Sequence, residues 1–374
     1  MSKALRKAAP LLVLAGIALM PRPRRPDRRP APAAPPPKPP PTLADRPSPH
    51  RSTHDPAEMA DPTRGRSAEA PQEIPKKGWK DILQRTRKEF MDDQIPLVAA
   101  GITFYSLLAM FPALGSFVAL YGLFADVSEA QRHLQLLSVV LPGDALRFVG
   151  EQMLRISAAN TGGLSLAFVG GLLLSLWGAS GAVRAMITAL NIAYEETEKR
   201  GFVTRILVSL AFTLGFLLFG MCALAVIAAP PAIESVLGAP AAAMFRWTTW
   251  PVLLAALGVA LALLYRFGPS RERAKWRWIT WGSGAALVLW VAASAAFSAY
   301  VANFAQYEKT YGSLGAAIGF LMWVYVSGQV ILMGAELNAE IEHQTAKDTT
   351  TGPEKPLGAR GATMADTVGA PQGR

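Results

Sequence analysis

At 374 residues the chain is long enough for two or three soluble domains, but 51% of it is hydrophobic and only 17% is charged. The apolar residues fall in long unbroken runs, which excludes an ordinary soluble globular protein and leaves an all-α, polytopic membrane bundle as the expected fold. The net charge of +10 comes from an Arg-rich N-terminal arm and from short segments between apolar runs, the pattern of loops retained in the cytoplasm rather than of a nucleic-acid surface.

In chain order, Lys3, Arg6 and Lys7 precede an apolar stretch at 11–20 that resembles a signal-peptide core. It is too short to span, lacks a small-residue cleavage site and is followed at once by Arg22, Arg24 and Arg25. It reads as an interfacial or disordered tail or a misassigned start, with a membrane anchor as the alternative. Residues 21–75 are rich in Pro, Arg, Ala, Ser and Asp, so the whole arm, 1–75, is expected to be disordered. From Trp79 to Phe90, apolar Trp79, Ile82, Leu83 and Phe90 alternate with Lys80, Arg85, Arg87 and Lys88. That spacing predicts a basic amphipathic helix lying on an anionic membrane face.

Six apolar runs follow, at about 97–124, 164–194, 206–229, 241–265, 279–304 and 314–337. Each is long enough to cross about 30 Å of hydrocarbon at about 1.5 Å per residue. Pro112 lies inside the first and predicts a kink with a carbonyl to be satisfied elsewhere. Lys76 to Lys88, Lys199 to Arg205 and Arg266 to Arg277 carry most of the basic residues beside the spans. The alternate connections hold only Arg132, Arg147, Arg155, Arg246 and Lys309. The first set is therefore expected in the cytoplasm, and six spans return the C-terminus there. The long outer connection, 125–163, predicts two amphipathic helices divided at Pro142 and Gly143. Residues 345–374 read as a disordered tail, leaving 76–344 as the membrane domain.

Three segments, taken together, resemble the YihY/BrkB family of bacterial inner-membrane proteins, formerly labelled ribonuclease BN. The first is Ala99-Ala-Gly-Ile-Thr-Phe-Tyr-Ser-Leu-Leu through Pro112. The second is Leu176-Trp-Gly-Ala-Ser through Asn191. The third runs from Leu264-Tyr-Arg-Phe-Gly-Pro269, through Phe297 to Asn303 and Thr310 to Gly315, to Gly334-Ala-Glu-Leu-Asn338. The ordered set covers about 78–343. The resemblance implies a six-span inner-membrane protein, and a role in moving an amphipathic or lipid-like envelope component is its weaker implication.

Charge inside a span is costly, about 2.5–3.5 kcal/mol at the bilayer centre, so intramembrane polar residues are the leading site candidates. These are Arg184, Asn191, Gln329, Glu336 and Asn338, with the hypothesis that Arg184 and Glu336 pair, or line a polar cavity with Asn191 and Asn338, and anchoring at the headgroup level as the alternative. Ser327, Tyr105 and Ser106 read as interhelical hydrogen-bonding groups. Cys222 is the only cysteine, and His50, His54, His133 and His343 are scattered. No catalytic set, metal site or cofactor motif is expected. The expected partners are membrane lipids and a lipid-like substrate, with no nucleic acid and with homo-oligomerisation left open. The loop Arg266 to Arg277, with Trp276 and Trp278, is a further candidate for anionic headgroups, although topology alone accounts for its charges. A membrane scaffold is the alternative to transport, and an enzyme is not expected.

Overall fold

A backbone that crosses hydrocarbon must satisfy its own N–H and C=O groups, and this chain does so with helices. The computed structural model describes residues 52–53, 55–121, 166–303 and 313–372, all within the unit Ser48–Arg374. The expectations for residues 1–51 and the helices expected within 125–163 lie outside the described residues. The helices are α1 (Lys76–Asp92), α2 (Ile95–Tyr121), α3 (Leu166–Ala193), α4 (Phe202–Ala228), α5 (Pro230–Leu237), α6 (Ala239–Phe267), α7 (Trp276–Asn303) and α8 (Ser313–Glu342).

Among the described residues, α3, α4, α6, α7 and α8 are each long and apolar enough to cross a membrane. The α1–α2 pair, bent by 59° at its break, supplies a sixth candidate span. Gln94 forms that break with a left-handed backbone, φ 51°. Its carbonyl accepts the first N–H groups of α2, from Leu97 at 2.8 Å and Val98 at 3.1 Å. Pro96 stands in the first turn, where its missing N–H costs nothing.

Lipid is as apolar as leucine, so the helices associate by close packing rather than by hydrophobic burial. Large side chains such as Leu97, Phe104, Leu174, Leu207, Trp247 and Val288 are exposed along the helices, as acyl chains require. Small residues mark the crossings. A Cβ at Gly282 of α7 would lie 2.3 Å from the Gly334 carbonyl of α8, and one at Gly334 would lie 2.6 Å from the Ala286 Cβ. Asn338 seals this crossing, its Oδ1 accepting the Gly282 N–H at 2.8 Å. Gly178 of α3 has the same role against Pro112 of α2, whose ring would lie 2.8 Å from an added Cβ. The Ser116 hydroxyl donates to the Pro112 carbonyl at 2.9 Å. The buried apolar core gathers toward the basic end of the bundle, with Ile95, Leu190, Tyr194, Leu264, Tyr265, Ile279, Leu332 and Ala339.

Three expectations need correction. The segments expected as disordered arm and tail are ordered over 52–53, 55–75 and 345–372, where they cover the ends of α1, α3 and α8. They hold by backbone and side-chain hydrogen bonds together with a small apolar cluster, in which Ala68 and Ile74 pack with Ile82, Trp278 and Ile341. Thr53 N–H bonds the Val368 carbonyl, Ala346 N–H the Arg66 carbonyl and Thr351 N–H the Arg273 carbonyl, each at 2.8 Å. Ala362, Met364, Ala365 and Val368 fill the few apolar gaps. Secondly, α1 buries a charged stripe while Lys80, Arg87 and Lys88 stay exposed. Asp81, Arg85, Thr86 and Glu89 are buried with Ile82, whereas Leu83 and Met91 are exposed. Its neighbour is the charged end of α8, which rewards ion pairs over apolar contact. Thirdly, α8 runs five residues past the expected 337, because Glu340 and Glu342 find arginine partners there.

Candidate functional site

The sequence-derived polar residues do not gather into one site. Arg184 lies along its own helix, donating to Ser180 and stacking 4.9 Å from the Trp177 ring. No ion pair joins it to Glu336 among the described residues, so the expected pair is not formed. Glu336 is fully buried, which rules out a headgroup anchor, and it faces the carboxyl of Asp93, with Glu340 and Glu89 nearby. Asn191 clamps two loops, with Oδ1 accepting the Ser270 N–H at 2.8 Å and Nδ2 donating to Glu198 at 3.2 Å. Asn338 holds α7 to α8 as described. Gln329 is half-buried in the middle of α8. Ser327 does form interhelical glue, accepting the Trp290 indole N–H at 3.0 Å.

What the structure offers instead is a cavity of about 1190 Å³ between α4 and α6. Its walls are apolar. Val208, Ala211, Phe212, Gly215, Phe216 and Phe219 line it from α4, and Ala256, Val259, Ala260 and Leu263 from α6. The two helices approach each other at few points, whereas α6 packs closely along α7. Phe212 and Phe216 stack with centroids 6.2 Å apart on the α4 wall. The exposed thiol of Cys222 stands three residues beyond Phe219 on the same helix.

At the basic end the lining becomes polar, with Lys199, Arg200, Arg266, Arg271, Glu272 and Arg273, and with Thr351 and Gly361 of the tail. Three of these cations are neutralised locally. Lys199 meets Glu196 at 2.8 Å and Arg200 meets Glu198 at 2.8 Å. Arg271 forms a two-point contact with Glu342, at 2.5 and 3.1 Å. Burial opposes the charge on Arg271, but Glu342 outweighs it and holds the guanidinium above its ordinary range. Burial likewise opposes the Glu198 carboxylate, yet bonds from Arg200 and Asn191 bring it down to about 2.

Arg266 and Arg273 are different. Arg266 stacks 4.2 Å over Trp276, and Phe267 lies 5.5 Å from Arg266 and 5.0 Å from Arg273. The Nε and Nη1 of Arg266 are buried without a hydrogen-bond partner, a state that costs about 1–3 kcal/mol per group unless something accepts from them. The sequence marks this loop as a candidate for anionic headgroups, but the contacts of Arg266 and Arg273 within it are visible only in the fold. The groove itself has no sequence signature, since its lining residues are ordinary span residues. Among the described residues no group of three or more His, Cys, Asp or Glu is arranged to hold a metal ion.

Helices of this length, apolar outside and joined at a charged end, define a polytopic α-helical membrane protein. The family model described as Virulence factor BrkB matches residues 86–358. The chain belongs to that family. Relatives include the ribonuclease-like protein YfkH of Bacillus subtilis, 29% identical over 64% of this chain and 88% of its own length. A UPF0761 membrane protein of Rhodospirillum centenum is 29% identical over 77% of this chain, and one of Ralstonia nicotianae is 30% identical over 67%. The chain spans only 63% and 56% of those two proteins. No solved structure matches.

Proposed function

We propose that this protein binds an amphipathic, lipid-like envelope component in the α4–α6 groove and moves it between the membrane and the basic end of the bundle. The observation that carries the reading is a groove with apolar walls and a cationic mouth, set between loosely packed helices whose outer faces belong to lipid. Such a cavity matches an amphiphile along its whole length, tail against phenylalanine and head against arginine. The basic end is read as cytoplasmic, in an inner membrane, from the bias of Lys and Arg. Asn191, Asn338 and the Arg271–Glu342 pair serve as fixed points that keep the mouth in shape. The ribonuclease-like name of the Bacillus subtilis relative is not carried over, since the lining of the groove holds a single carboxylate, Glu272, and no histidine among the described residues.

The test is reconstitution into liposomes with a fluorescent lipid-translocation assay. A Cβ at Gly215 meets nothing within 4 Å, so a side chain can be added there, and Gly215→Trp narrows the groove. The variant is expected to fold normally and to slow translocation severalfold. Equal rates for both proteins, at the level of empty liposomes, would favour a scaffold with no transport role.

A further inference from the structure

We propose that Arg266 and Arg273 form a headgroup site for an anionic glycerophospholipid, bound through its phosphate at the mouth of the groove. This rests on the amphiphile-binding reading above and narrows it to one chemical class.

Two guanidinium groups flank a single ring, Phe267, at 5.5 and 5.0 Å, and Trp276 supports the first at 4.2 Å. Sharing that ring brings the two charges near each other, and neither forms an ion pair among the described residues. Their neighbours Lys199, Arg200 and Arg271 are each matched to a glutamate. Glu272, the one carboxylate lining this mouth among the described residues, is exposed and forms no ion pair with either. Two guanidiniums beside one aromatic ring, neither in an ion pair among the described residues, favour a negative guest, which relieves their mutual repulsion. A phosphate suits it better than a carboxylate, having more acceptor oxygens to share between two planar donors. The two donors left unused on Arg266 are buried at the same mouth.

The rest of the guest follows from the walls. From Val208 to Phe219 the α4 wall rises about 16 Å at 1.5 Å per residue, enough for an extended acyl chain beside Phe212, Phe216 and Leu263. Free phosphate would leave that surface empty. A zwitterionic lipid would bring its ammonium to a mouth that is already positive.

The experiment uses the full chain in phosphatidylcholine nanodiscs with spin-labelled phosphatidylglycerol or spin-labelled phosphatidylcholine, reading the motionally restricted fraction of each. Unaltered protein is expected to select phosphatidylglycerol. Arg266→Gln and Arg273→Gln are each expected to lower that selectivity about fivefold, the weight of one interfacial basic residue, and the double variant to abolish it. Arg277→Gln removes an exposed charge of the same loop from outside the groove and is expected to leave selectivity intact. Arg266→Lys, with melting temperature measured in parallel, separates lost charge from lost fold. The proposal is overturned if the double variant keeps its selectivity, if Arg277→Gln loses as much, or if millimolar inorganic phosphate displaces the lipid entirely. Equal restriction of both lipids, released together by Gly215→Trp, would sink this inference while leaving the amphiphile reading standing. No restriction of either lipid would sink both.

Discussion

Gly334 shows how little space separates α7 from α8. An added methyl group would meet the Ala286 Cβ and the Tyr265 hydroxyl, both at 2.6 Å. Gly334→Ala is expected to destabilise the fold by about 1–3 kcal/mol, the usual range for an overpacked core, read from thermal melting in detergent. Glu198 gives a pH-dependent counterpart. Its carboxyl falls from an ordinary 4.5 to about 2 in the folded chain. A depressed acid contributes stability that is complete above its unfolded value and is lost as pH drops through the folded one. The chain should therefore lose stability between about pH 4.5 and 2, and Glu198→Gln should flatten the melting curve in that window. A Glu198→Gln protein with the same pH slope as the parent would contradict this. At this scale the sequence was partly legible. Asn191 and Asn338 stand out as polar residues in apolar surroundings, and both prove to be clamps. Arg184 and Glu336 stand out equally, yet their helices aim them at different neighbours, and no spacing rule reveals that.

Among the elements, the long helices were readable because hydrocarbon thickness and helical rise leave few choices of length. The arm and tail were not, because composition reports how much apolar surface a segment can bury and says nothing of ion pairs at its destination. Arg85 makes the point. Its side chain is 2% exposed, it pairs with Glu340, and it donates to the Gln344 amide oxygen at 2.6 Å and the Ala370 carbonyl at 3.2 Å. One guanidinium thus ties α1, α8 and the tail together. Arg85→Ala is expected to cost about 3–5 kcal/mol, as when one partner leaves a buried ion pair. Adding Glu340→Ala should recover part of that loss, although His343 stands 3.6 Å from the same carboxylate. Urea unfolding of the two variants in detergent measures the difference, and a fully additive double variant would argue that the pair carries no coupling.

At the scale of the whole molecule, the sequence conveys a membrane bundle with one basic end and leaves the groove between α4 and α6 unannounced. That cavity lies between two helices that approach each other at few points and whose lining residues are distant in sequence. The Gly215→Trp block and the headgroup variants therefore address a property of the assembled bundle rather than of any one segment. The lone thiol at Cys222 then gains a practical meaning. It is the protein's single cysteine, it is exposed, and it sits on a helix that forms a groove wall. A nitroxide or fluorophore attached there gives a spectroscopic reporter beside the groove in an otherwise unaltered chain, with no competing sulfhydryl to remove and no background label to subtract.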